Sequence, residues 1–129
     1  MDNENIFITN NPIDIVLKTF KILYPDKKVI IQFTEQIKNN NKKNTRIMGI
    51  TCFNYFKDDV NKVLIHISSE MHLSDTVDIL IHELAHAVID DTEDDVTGHG
   101  EEWEKVYDKI YDKYLEILEK YNKNIFDIN

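Results

Sequence analysis

His82-Glu83-Leu84-Ala85-His86 holds the residues of this chain best suited to chemistry. The pattern is H-E-x-x-H. On an α-helix each residue advances about 100° around the axis. Residues four apart therefore share one face, a single turn apart. The His82 and His86 imidazoles can then grip one metal ion. Glu83 falls on the flank of that face, within reach of a water at the metal but not of the metal itself. The stretch predicts a helix with two zinc ligands and a general base. Ile79-Leu80-Ile81 before it and Ala87-Val88-Ile89 after it make that helix apolar nearly all round, as a buried central helix is.

A catalytic zinc site takes three protein ligands and leaves a position for water. The chain has five histidines, so the search is short. His66 lies on an expected strand and His72 in the loop before the central helix. His99 follows that helix, in Gly98-His99-Gly100-Glu101-Glu102-Trp103. A glycine on each side lets the backbone turn sharply there, and imidazole suits zinc. His99 is the favoured third ligand, with Glu102 or Glu104 as carboxylate alternatives. The metzincin pattern needs Gly at 89 and His at 92; this chain has Ile89 and Thr92. The single cysteine, Cys52, excludes a site with two or more thiolates and reads as a small buried hydrophobe. The run Asp90-Asp91-Thr92-Glu93-Asp94-Asp95 lacks EF-hand spacing and reads as a solvated turn.

The elements that must position these residues follow from periodicity. Asn11-Pro12-Ile13-Asp14 is a helix start: a capping Asn, Pro at the first helical position and an acid in the first turn. Ile13, Val16, Leu17, Phe20 and Leu23 recur at helical spacing, and Tyr24-Pro25-Asp26 ends the helix. Val29 to Phe33 reads as a strand. Lys38 to Asn44 is a polar loop. Arg46 to Tyr55 reads as a second strand, with Gly49 as a bulge or point of close approach. After a turn at Lys57-Asp58-Asp59, Val63 to Ser68 alternates as a third strand. Ser74 reads as an N-cap, and the metal helix runs from about Asp75 to Asp90. A long amphipathic helix runs from Glu101 to about Asn122. Its apolar stripe begins with Trp103, Val106 and Tyr107, and these rings read as core. The sum is a single α+β domain over residues 1–129, with a small antiparallel or mixed sheet.

Bulk properties narrow the function classes. The 129 residues suit one core, and 42% hydrophobic with 30% charged residues is an ordinary balance. No apolar run approaches the roughly 20 residues of a bilayer span. The N-terminus is acidic and polar, unlike a secretory signal, so the expected location is the cytoplasm. The net charge of −9 disfavours a phosphate-gripping surface. Only Lys38, Lys42, Lys43 and Arg46 form a basic cluster, which reads as a solvated loop with a nucleic-acid contact as the lesser reading.

His82-Glu83-Leu84-Ala85-His86 followed by Gly98-His99-Gly100-Glu101-Glu102-Trp103 resembles the SprT-like zinc metallopeptidases, which include Spartan. Met48-Gly49-Ile50 and Ile65-His66-Ile67-Ser68 resemble that family's upstream hairpin. The likeness covers about residues 46 to 114. It implies a zincin-like fold, one zinc ion held by His82, His86 and His99, and Glu83 as catalytic base. The implied activity is peptide-bond hydrolysis on protein or peptide substrates. The cysteine-rich zinc ribbon and the DNA-binding regions of many relatives have no counterpart in this sequence. A substrate strand is expected beside Leu64 to Ser68, with His66, Tyr107 or Tyr111 as candidate oxyanion donors. The competing class is a non-enzymatic, zinc-stapled binding module in a protein or nucleoprotein complex. Glu83 separates the two, because a staple has no need of it.

Overall fold

The computed structural model describes residues 5–35, 47–53, 55–59, 61–89 and 99–128, the last five as backbone only. The basic cluster, the 38–44 loop and the acidic connector lie outside the described residues.

Helix α1 spans Pro12–Leu23. Asn11 caps it, its side-chain oxygen accepting from Ile13 N–H at 3.0 Å. Its inner face buries Ile15, Val16 and Phe20. Strand β1 (Lys28–Thr34), strand β2 (Gly49–Cys52) and strand β3 (Lys62–Ser68) form a sheet in the order β1-β3-β2. β1 runs parallel to β3, with Ile31 beside Ile65. β2 runs antiparallel to β3, with Thr51 opposite Ile65. The mixed sheet agrees with the sequence expectation, but β2 is much shorter than the stretch from Arg46 to Tyr55. Its pairing stops at Cys52, before the turn around Lys57 to Asp59.

Strand alternation assigns the faces. Val63, Ile65 and Ile67 of β3 point into the core; Leu64, His66 and Ser68 point the other way. Helix α2 (Leu73–Ile89) lies on the core face. It begins earlier than expected. Thr76 N–H donates to the His72 carbonyl at 3.0 Å, so His72 caps the helix and Ser74 sits inside the first turn. Helix α3 (Glu101–Ile128) continues past Asn122, because neither Pro nor Gly interrupts it. α2 packs against α1, α3, β2 and β3 and so forms the centre of the molecule. Leu80, Ile81, Leu84 and Ala85 of α2 join Ile65, Ile67 and Ile110 in the core.

Candidate metal centre

The helix periodicity that puts His82 and His86 on one face of α2 aims both rings toward the start of α3. His99, just before α3, completes a cluster there. Its Nε2 lies 3.1 Å from His82 Nε2 and 3.1 Å from His86 Nε2. All three nitrogens fall within 4.8 Å of one another. Ligands of a tetrahedral zinc at 2.0–2.1 Å sit about 3.3 Å apart, close to the two 3.1 Å contacts that His99 makes. Hydrogen bonding alone accounts poorly for it, since one imidazole N–H cannot serve two short contacts well. Burial lowers the pKa of His82 and His86 below the usual 6.5, followed by the charges of the neighbouring imidazoles; His86 falls to about 4. Neutral rings offer the lone pairs that a cation needs. The donor set therefore fits one metal ion.

Trp103 forms a wall of this cluster. Its ring centroid lies 4.9 Å from that of His82, 5.6 Å from His86 and 4.7 Å from His99. Its indole N–H donates to the His82 carbonyl at 3.3 Å. The sequence marks it as the start of an apolar stripe and as the last residue of the motif that carries the family resemblance, and reads it as core. Tyr107 and Tyr111 extend the row of rings, at 5.3 and 5.9 Å between successive centroids. Burial, then Asp78, raises the Tyr107 hydroxyl above its ordinary pKa, so it stays protonated.

Glu83 points from α2 toward β2 and is only 6% exposed. Thr51 donates its hydroxyl to Glu83 Oε1 at 2.6 Å. Burial raises the Glu83 pKa, and the Thr51 hydrogen bond opposes the rise. Gly49 is the point of close approach: a Cβ there would lie 2.7 Å from Ile79 Cγ2 and 3.0 Å from Glu83 Cγ. Sequence reading found Gly49 but not Thr51, whose role appears only when strand pairing and helix packing are combined.

The other candidates lie elsewhere. His66 occupies the sheet face turned away from α2, opposite Ile50 and beside Gln32, so it is no donor to this site. Glu102 and Glu104 are exposed, and Glu102 pairs with Lys105 at 3.7 Å. β3 is flanked on both sides, so the strand from Leu64 to Ser68 offers no free edge to a peptide. Among the described residues β1 and β2 are the edge strands, and β2 is the one beside Glu83. Cys52 is only half-buried; burial, then the Glu83 charge, raises its thiol pKa.

A mixed sheet under an H-E-x-x-H helix, with a third histidine at the next helix, defines a zincin-like α+β domain with a candidate metal site. The chain belongs to the SprT-like family, whose model matches residues 23–125. No curated protein and no solved structure matches it. Among the described residues no helix is long and apolar enough to cross a membrane.

Proposed function

We propose that this protein is a zinc-dependent peptidase with His82, His86 and His99 as metal ligands and Glu83 as general base. The observation that carries the reading is a buried, hydrogen-bonded carboxylate on the residue that follows His82, on the helix that supplies two members of a three-imidazole cluster. A structural staple has no use for a buried acid, which costs stability unless compensated.

Zinc held by the three imidazoles would supply a Lewis acid and lower the pKa of water to about 7. Glu83 does the proton work. Thr51 occupies Oε1, so Oε2 is the oxygen that takes a proton from the attacking water and returns it to the leaving amine. The upward pKa shift makes the carboxylate a better base at neutral pH. Trp103 backs the imidazoles and screens them from water on its side. The substrate is an extended protein segment that adds to β2, an edge strand among the described residues, through main-chain hydrogen bonds. The acidic chain favours such a partner over a phosphate backbone.

The test compares zinc-loaded wild type, Glu83→Gln and His99→Ala on unfolded casein. Wild type cleaves. Glu83→Gln keeps one tight zinc per chain and loses at least about 100-fold in rate, the lower range of general-base contributions. His99→Ala loses tight zinc. Equal cleavage by wild type and Glu83→Gln would reject Glu83 as the base, and no cleavage by either would reject the peptidase.

A further inference from the structure

A glutamate side chain has three rotatable bonds and samples many arrangements unless it is held. Glu83 is held from β2. Gly49 and Thr51 alternate onto the sheet face that α2 covers, opposite Ile67 and Ile65. At Gly49 an added Cβ would lie 3.0 Å from Glu83 Cγ and 3.2 Å from its Oε2. The space left by the missing side chain is thus where the glutamate packs. Two residues along, the Thr51 hydroxyl lies 2.6 Å from Glu83 Oε1 and 3.1 Å from the Glu83 main-chain carbonyl. A hydroxyl has one proton to give, and the shorter contact to the charged acceptor is the stronger.

We propose that Thr51 is a positioning residue for Glu83: its hydroxyl pins Oε1, Gly49 leaves room for the stem, and Oε2 is left to exchange the proton. This inference rests on the peptidase reading, because a general base must be aimed whereas a residue that only fills space need not be. The hydroxyl acts through Glu83 and touches no substrate.

Thr51→Val keeps the shape of the side chain and removes the hydroxyl. Thr51→Ser keeps the hydroxyl and removes the methyl. The experiment measures kcat and KM of the zinc-loaded proteins on unfolded casein, and determines crystal structures of the metal-free wild type and Thr51→Val. The expected result is a kcat lower by about 10- to 100-fold in Thr51→Val, the range for residues that orient a site from behind. KM is unchanged, and Thr51→Ser recovers most of the loss. In the Thr51→Val crystal the Glu83 carboxylate leaves its wild-type position. Equal kcat in wild type and Thr51→Val, or a Thr51→Ser no better than Thr51→Val, overturns the proposal. If wild type cleaves nothing, the peptidase reading fails and the crystals decide alone. A displaced carboxylate then supports the seat, and an unmoved one overturns it. Should Thr51→Val not fold, Thr51→Ala takes its place under the same criteria.

Discussion

Trp103 touches all three histidine rings and also holds the backbone of one of them, so a single side chain couples the start of α3 to the metal face of α2. Aromatic pairs are worth about 0.5–1.5 kcal/mol each beyond their burial. The larger effect here is orientation, because metal affinity depends on imidazoles already aimed at one point. Trp103→Ala is expected to weaken zinc binding by about 10- to 100-fold. Trp103→Phe keeps a ring wall and loses only the hydrogen bond, so its loss is smaller. Competition with a chromophoric chelator measures both, and an alanine variant that binds as tightly as wild type would remove Trp103 from the site. At this scale the sequence was partly legible. His82 and His86 share a face because helix geometry is local, and His99 stood out through its flanking glycines. Trp103 was visible as a motif residue and a core ring, but its contact with the three histidines was not, and Thr51 did not stand out at all, because these contacts join separate elements.

At the scale of elements, the histidine cluster depends on how α3 lies against α2. Among the described side chains of α3, Ile110 and Tyr114 are the buried ones, and Ile110 is 0% exposed. They fix the register that brings Trp103 under His82. Ile110→Ala removes buried volume from this junction and is expected to cost about 2–5 kcal/mol, the range for large-to-small core changes. Urea unfolding of the metal-free protein checks it; a loss under about 1 kcal/mol would mean that the junction collapses to fill the gap. The same variant should bind zinc less tightly, since α3 carries the wall of the site. Helix α1 and strands β1 and β3 were readable because caps and alternation are local signals. The order β1-β3-β2 was not, since it depends on partners far apart in the chain. That order puts β3 in the middle and leaves β1 and β2 as the edges among the described residues, with β2 next to Glu83. The early start of α2 was missed for a related reason: the His72 carbonyl makes the first helical bond although Ser74 is the better capping residue by type.

At the scale of the whole molecule, protons link the candidate site to the stability of the fold. Burial, then His82 and His99, holds His86 at about 4. His82 is lowered by burial, then by His99. In the unfolded chain both titrate near about 6.5. Between those values the unfolded chain binds more protons, so stability rises with pH. The histidine contribution is complete above about pH 6.5 and is lost as pH falls toward about 4. Glu83 acts in the opposite sense. Burial raises it above 4.5 against the Thr51 hydrogen bond. Its contribution is complete below the unfolded value and is lost as pH rises through the folded one. Metal-free protein is therefore destabilised by its imidazoles in acid and by its glutamate toward neutrality. Melting curves of metal-free wild type, His86→Asn and Glu83→Gln across this range test both signs. Wild type should lose Tm more steeply than His86→Asn as pH falls from about 6.5 to about 4. Glu83→Gln should match or exceed wild type at neutral pH, as expected where a site carries a group that function needs and folding does not. Parallel curves for wild type and His86→Asn would show that the imidazole is not held neutral by the fold. Zinc binds the deprotonated rings, so its stabilisation should be greatest at neutral pH and fade through the acid window in which the histidines take up protons.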